Sequence, residues 1–157
     1  MKKELKGILF FGTIFFIIDQ LIKFLISSKI DLNQSFKLIK GFLNITLVHN
    51  DGAAFSILNG NRLLFIFIGI ATIIWLIYYL SKNIYLSDFD VFVYSLLLGG
   101  ILGNLVDRIV HGYVIDYISI IFNNKYFPVF NFADICIVVS IILILLGTIK
   151  EELWKSQ

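Results

Sequence analysis

Four runs of apolar residues dominate the pattern of hydrophobic and polar positions along the chain. They cover about residues 7–28, 62–80, 90–106 and 133–149. Each approaches the roughly 20 apolar residues that a helix needs to cross the hydrocarbon core of a bilayer. The pattern therefore predicts a mainly α, polytopic membrane protein with four transmembrane helices, in one membrane-embedded domain that covers residues 1–157. An even number of spans places both termini on one side.

The connections between the predicted spans differ in kind. A short polar hairpin covers residues 81–89, whereas residues 29–61 and 108–132 form two long connections on the opposite face. Both long connections contain stretches that alternate between apolar and polar residues, FKLIKGFLNITLVHN and YVIDYISI. Such alternation is typical of β-strands. We therefore expect a small β-structure on the face of the long connections, and we expect the functional site there.

Composition agrees with a membrane location and limits the possible functions. Hydrophobic residues make up 59% of the 157 residues and charged residues only 15%, whereas soluble domains carry about a quarter. A net charge of +2 without a basic stripe argues against nucleic-acid binding. Cys136 is the only cysteine, and His49 and His111 are isolated from each other. We therefore expect no intrachain disulfide and no metal site.

Charge counting alone does not determine the orientation, because lysine and arginine residues are divided evenly between the two faces. Lys2, Lys3 and Lys6 crowd the beginning of the chain, and the first span often dominates orientation. This density predicts cytoplasmic termini and long connections at the outer surface. The basic and apolar start imitates a signal peptide but lacks a convincing cleavage site, so we interpret it as a retained first span.

Polar residues interrupt the apolar runs at a few positions. Asp19 and Lys23 lie four residues apart, so they share a helix face and can form a structural ion pair. Asn104, Asp107 and Arg108 form one polar face at the end of the third run. Arg108 could satisfy carboxylates and carbonyls at an interfacial helix end, or it could take part in catalysis directly. The spacing leaves both interpretations open.

Asp116 and Asp134 lie toward the two ends of the second long connection, each flanked by apolar residues. Taken alone, Asp116 could be an exposed loop residue, and Asp134 could form a capping box with Asn131 at the start of a helix. If the connection folds back, however, the two carboxylates can meet near the membrane surface. Close carboxylates tend to share one proton, so that one can act as a base for water and the other as an acid for a leaving group.

Five short motifs occur along the chain in a recognisable order. They are DQLIK at 19–23, NDGAAFSIL at 50–58, GNLVDR at 103–108, VIDY at 114–117 and FNFAD at 130–134. Through these motifs the chain resembles bacterial lipoprotein signal peptidase, also called signal peptidase II, from about residue 8 to 150. The resemblance implies four spans, a small extracytoplasmic β-cradle and a short lid-like helix, which the stretch GAAFSILNG at 52–60 matches.

The resemblance also implies an activity and a set of site residues. The family consists of intramembrane aspartyl endopeptidases of the bacterial cell membrane, which remove the signal peptide of prolipoproteins before the diacylglyceryl-modified cysteine and are targets of globomycin. It implies membrane lipids and lipid-modified prolipoproteins as partners, and no cofactor; we expect a monomer. The matching positions are Asp116 and Asp134 for catalysis; Asn50, Gly52, Asn104, Arg108 and Asn131 for substrate binding or support of the catalytic pair; and Asp19, Lys23 and Asp107 for structure.

Two other classes of protein compete with an enzyme. A small polytopic transporter or channel subunit could use an Asp/Arg relay, and a non-catalytic assembly protein could carry the same residues. A transporter should carry polar residues through the depth of several spans. Here the second run has almost none, and most polar groups collect at one end of the third and fourth runs. That distribution favours a catalytic site near the membrane surface.

Overall fold

The computed structural model describes residues 2–52, 60–82, 85–123 and 125–155. Within these residues the chain forms four helices and four strands. In chain order they are α1 (Lys3–Ser27), β1 (Ser35–Ile39), β2 (Leu43–Asn50), α2 (Arg62–Lys82), α3 (Asp88–Val110), β3 (Val114–Phe122), β4 (Lys125–Tyr126) and α4 (Phe132–Lys155).

All four helices are long and apolar enough to cross a membrane, which confirms the prediction of a mainly α, polytopic membrane protein. A helix suits lipid because all its backbone polar groups are satisfied within the segment. The outward faces carry exposed apolar side chains, including Phe24, Phe67 and Leu145. Helix α1 begins before the predicted span at residue 7, and α4 continues beyond residue 149. The helices are longer because apolar periodicity marks only the part of a helix that is suited to lipid.

Helix α3 lies against both α1 and α4, and its glycines permit the close approach. A Cβ atom added at Gly99 would lie 2.8 Å from the backbone oxygen of Gly12 in α1. One added at Gly100 would lie 2.6 Å from the backbone oxygen of Ala133 in α4. Both distances are too short for real carbon atoms. Small residues therefore bring the three helix backbones together, as is common in membrane bundles.

The strands form one antiparallel sheet in the order β1-β2-β3-β4. The predicted small β-structure is therefore present: β1 and β2 lie between α1 and α2 in the chain, and β3 and β4 join the end of α3 to the start of α4. The register of β2 and β3 pairs Asn50 with Val114 and Val48 with Asp116. Asn50 and Asp116 thus lie near each other across the two strands. Residues 53–59, which hold most of the predicted lid-like helix, lie outside the described residues, so that helix stays a prediction.

Candidate active site

A buried ion-pair cluster joins α1 to α3. The Nζ atom of Lys23 lies 2.8 Å from Oδ2 of Asp19 and 2.9 Å from Oδ2 of Asp107. All three side chains are almost completely buried. The first of these pairs follows from the i,i+4 spacing on one helix, whereas Asp107 is a second partner from another helix. Buried charges are tolerated only when they are paired and hydrogen-bonded.

Hydrogen bonds to the two carboxylates connect this cluster to the segments that carry Asp116 and Asp134. The backbone N–H of Ala133, at the start of α4, donates to Oδ1 of Asp19 at 3.0 Å. The backbone N–H of Ile115, at the start of β3, donates to Oδ2 of Asp107 at 3.1 Å. Asp19 therefore holds the helix residue immediately before Asp134, and Asp107 holds the strand residue immediately before Asp116. This arrangement agrees with a supporting role for both.

Asp116 is buried in β3 with both carboxylate oxygens engaged. Asn50 Nδ2 donates to Oδ2 at 2.9 Å, and Asn131 Nδ2 donates to Oδ1 at 2.6 Å. Burial, reinforced by the charge of Asp134, raises the pKa of Asp116 to about 7, although both amide hydrogen bonds oppose the shift. The carboxyl group can therefore hold or release a proton near neutral pH, which a general acid or base requires.

Asp134 lies in the first turn of α4 and forms the capping box that the sequence spacing allows. Its backbone N–H donates to Oδ1 of Asn131 at 2.9 Å, and its Oδ2 accepts from the backbone N–H of Asn131 at 3.2 Å. Asn104 Nδ2 donates to its other oxygen at 2.7 Å. The cap does not exclude a chemical role, because Asp134 also lines the same cavity as Asp116.

Asn104 and Asn131 connect the two carboxylates and the ion-pair cluster into one hydrogen-bonded network. Oδ1 of Asn104 accepts from Lys23 Nζ and from Asn131 Nδ2, both at 3.1 Å. Asn131 is completely buried. A network in which each buried polar group has a partner is rigid, because breaking one bond leaves a group unsatisfied in a medium of low dielectric constant.

Arg108 contacts carbonyl groups. The sequence also allowed contacts between Arg108 and carboxylates, but none occurs among the described residues. Its Nη1 donates to the backbone oxygen of Asn104 at 3.2 Å, and its Nη2 donates to that of Gly52 at 3.0 Å. Lys23, which is fully buried, takes the ion-pairing role instead. Arg108 thus lines the same cavity as Asp116 and Asp134, and Gly52 joins Arg108 to Asn50 at the edge of the network.

One cavity of about 1060 Å³ contains the two carboxylates in its wall. Asn50, Asn104, Arg108, Asp116 and Asp134 provide polar groups, and an apolar wall comes from β3, the segment before α4 and α4 itself. Its apolar members include Ile120, Phe127, Ile135, Val138 and Val139. A mostly apolar concavity with a few convergent polar groups is the usual form of a ligand-binding site. Among the described residues, no three His, Cys, Asp or Glu side chains are grouped so that they could hold a metal ion.

Three residues of this region were not singled out by the sequence. Gln20 Nε2 donates to Oδ1 of Asp107 at 2.9 Å, and Tyr117 Oη accepts from the backbone N–H of Phe132 at 3.1 Å. Arg62 binds the end of α3. An amide beside Asp19 in an apolar run was a usable signal for Gln20. Tyr117 lies in the VIDY motif, but the motif does not indicate its partner, and Arg62 has no local signal, because the partners of both are distant in sequence.

Four helices of spanning length and a buried polar network at one large cavity define a polytopic membrane enzyme. Residues 11–150 match the model of the signal peptidase (SPase) II family. The chain belongs to this family and is therefore a peptidase. A lipoprotein signal peptidase of Staphylococcus aureus strain JH9 is 38% identical over 141 residues, which are 90% of this chain and 86% of the relative. The same protein from strain Newman is equally similar.

Solved structures agree with this assignment. A structure described as a bacterial membrane enzyme matches 92% of this chain and 88% of its own with a TM-score of 0.85 at 35% identity. A second, under the same description, matches 91% of this chain and 92% of its own with a TM-score of 0.81 at 36% identity. The helices and the sheet are therefore those of a known membrane-enzyme fold.

Proposed function

We propose that the protein is an aspartic-type peptidase that removes the signal peptide from prolipoproteins before the diacylglyceryl-modified cysteine. Asp116 and Asp134 are the proposed catalytic residues. One observation carries this proposal: the two carboxylates come from different elements, line one cavity and are bridged by Asn131, whose side-chain amide donates to Asp116 and whose backbone N–H donates to Asp134. Family membership supports the substrate class, since the similar proteins are lipoprotein signal peptidases.

The raised pKa of Asp116 suggests how the work is divided in the proposed mechanism. Asp134 takes a proton from a water molecule, whose oxygen attacks the scissile carbonyl carbon to form a tetrahedral intermediate. Asp116 carries the shared proton and gives it to the amide nitrogen as the C–N bond breaks. The products are a carboxylic acid and an amine, and the proton taken by Asp134 restores the shared state. Paired carboxylates use this division of roles because they cannot both ionise easily.

The cavity suits an apolar peptide that carries a lipid chain. Ile135, Val138 and Val139 line it from the first turns of α4, so the signal peptide can lie along apolar surface while its scissile bond reaches the two carboxylates. Arg108 also lines the cavity, and its guanidinium has donors beyond the two that hold Asn104 and Gly52. We assign to it the binding of a substrate carbonyl oxygen.

The proposed location follows from the chain's multi-pass character and its substrate. We place the protein in the bacterial cytoplasmic membrane as a monomer, with both termini in the cytoplasm and the sheet and cavity near the outer surface. Lys2, Lys3 and Lys6 support this orientation. The resemblance to lipoprotein signal peptidases implies a target of globomycin, so we expect that antibiotic to inhibit cleavage.

The proposed function is tested by a gel-shift assay of a prolipoprotein with the purified protein. The lipid-modified precursor should lose its signal peptide, and the unmodified precursor should stay intact. EDTA should leave the rate unchanged. Failure to cut the lipid-modified precursor would contradict the substrate class, and loss of activity in EDTA, restored by added metal, would contradict the aspartic mechanism.

A further inference from the structure

Arg62 holds the C-terminal end of α3 from the first residue of α2. Its Nε donates to the backbone oxygen of Arg108 and its Nη2 donates to that of Ile109, both at 2.7 Å. The last four carbonyl groups of a helix have no partner within the helix, and the negative end of the helix dipole lies there. A guanidinium presents parallel donors in a fixed geometry, so one side chain satisfies both carbonyls at once.

Arg62 binds the backbone of Arg108, and the side chain of Arg108 in turn binds Gly52. Arg108 Nη2 donates to the backbone oxygen of Gly52 at 3.0 Å. The Arg108 guanidinium also lies over the ring of Phe65, 4.9 Å from its centre, and Phe65 is in the same first turns of α2 as Arg62. Gly52 and Arg62 are ten positions apart in the chain, yet both are fastened to Arg108.

From Gly52 the hydrogen bonds continue to Asp116. The backbone N–H of Gly52 donates to Oδ1 of Asn50 at 3.0 Å, which orients the Asn50 amide. Asn50 Nδ2 then donates to Oδ2 of Asp116 at 2.9 Å. A continuous series of contacts therefore runs from the exposed Arg62, through Arg108, Gly52 and Asn50, to a buried carboxylate.

We propose that Arg62 is a positioning residue of the peptidase, which holds Arg108 and Gly52 so that Asn50 is aimed at Asp116. The inference rests on the proposed function of Asp116. Arg62 touches neither carboxylate, so its effect reaches the reaction only through this series of contacts. We call the two parallel hydrogen bonds from the Arg62 guanidinium to the end of α3 the Arg62 fork. Without this fork the end of α3 is no longer held, Gly52 is bound less firmly, and the hydrogen bond from Asn50 to Asp116 weakens.

Removal of the fork by Arg62→Gln should lower kcat/KM on the order of 10-fold, because small misplacements of catalytic groups are costly. It should also move the pH–rate profile upward by on the order of one pH unit, since the Asn50 hydrogen bond favours the ionised form of Asp116. Asp134, Lys23 and Arg108 are the ionisable groups whose charges act on Asp116, and none of them is substituted in this variant. A defect in folding alone would lower yield without moving the profile.

Three further variants make the test specific. Lys37→Gln removes an exposed cation from β1 and should leave the rate and the profile as in the wild type. Arg62→Lys keeps the charge but not the fork and should lie between the wild type and Arg62→Gln. In an Asn50→Ala background, Arg62→Gln should produce no additional pH shift, because the two substitutions interrupt the same series of contacts.

The outcomes separate this inference from the proposed function. The positioning role would be overturned if Arg62→Gln behaved like Lys37→Gln, or if Arg62→Lys behaved like the wild type. In either case the wild-type pH–rate profile would still be bell-shaped, so the proposed function would stand. An additive shift in the Asn50→Ala background would overturn the route through Asn50. Failure of the aspartic mechanism would instead appear as full activity of Asp116→Asn.

Discussion

The side-chain amide of Asn131 donates a 2.6 Å hydrogen bond to Oδ1 of Asp116. Through its side-chain oxygen and its backbone N–H, the same residue caps α4 and holds Asp134.

Asn131→Ser should separate the two roles, because serine still caps a helix but its side chain carries no amide donor. We expect Asn131→Ser to keep a folded protein and to shift the pH–rate profile upward. Asn131→Ala, which also loses the cap, should in addition be destabilised by about 1 kcal/mol. Thermal unfolding and pH–rate curves of both variants check this, and an unshifted profile for both would contradict it.

The proposed catalytic pair is tested most directly by substituting each aspartate with asparagine. Asp116→Asn and Asp134→Asn should each abolish cleavage of a lipid-modified prolipoprotein, because asparagine cannot exchange the proton. Groups that act as a unit lose nearly everything when one member is removed, so the double variant should be scarcely slower than either single one. Circular dichroism in detergent serves as the control for folding. Substantial turnover by either folded single variant would refute the aspartic mechanism.

The raised pKa of Asp116 also predicts how stability depends on pH. Its pKa moves from 3.8 to about 7 on folding, so between these values the folded protein binds more protons than the unfolded chain. This group's contribution to stability is therefore full below about pH 4, decreases as pH rises, and is constant again above about pH 7. The slope is at most roughly 1.4 kcal/mol per pH unit.

A comparison with Asp116→Asn isolates this contribution. Burial lowers the pKa of His49, with a smaller effect from His111, so His49 acts in the opposite direction and destabilises the fold as pH falls. That contribution is common to both proteins and cancels in the difference between them. The wild type should lose stability relative to Asp116→Asn from pH 4 to pH 7. Parallel unfolding temperatures for the two proteins across this range would contradict the prediction.

Lys23 is the only cation between two buried carboxylates among the described residues, so its removal should damage the fold. Breaking a buried ion pair by deleting one partner costs about 3–5 kcal/mol. Lys23→Ala should therefore reduce the folded yield more than the turnover of each folded molecule. Lys29→Ala, at an exposed position just after α1, is the matched control and should give a normal yield. Normal yield with abolished turnover for Lys23→Ala would instead place Lys23 in the chemistry.

Gly103 lies where α3 passes the ion-pair cluster. A Cβ atom added there would collide with Oδ2 of Asp19 and lie 3.1 Å from the Cβ atom of Ala133. Gly103→Ala should therefore displace Asp19 and cost about 1–3 kcal/mol, as overpacking usually does. Gly147→Ala in α4 has no atom within 4 Å and should be neutral or slightly stabilising. Equal unfolding temperatures for the two variants would show that α3 can move aside.

Several features followed from the sequence because they depend on residues close together in the chain. The long apolar runs predicted the helices, since only a helix satisfies its own backbone within a single segment in lipid. The Asp19–Lys23 pair follows from i,i+4 spacing, and the cap between Asn131 and Asp134 follows from a separation of three residues. The alternating stretches predicted strands, but they predicted neither the order nor the register of those strands.

The ordered motifs named the residues of the site, but only the tertiary structure decided which of them touch. Lys23 binds Asp107 as well as Asp19, and Asn131 lies between Asp116 and Asp134, because α1, α3, β3 and α4 pack at one particular depth and angle. The contacts of Asn131 with Asp116, of Lys23 with Asp107 and of Ala133 with Asp19 join residues that are 15 to 114 positions apart. The geometry of these contacts depends on how closely the glycines of α3 let α1 and α4 approach. Local sequence patterns carry no information about the distance between helices. The placement of Arg62 on the end of α3 has the same origin, since a side chain 46 positions away becomes a partner only when two helices meet.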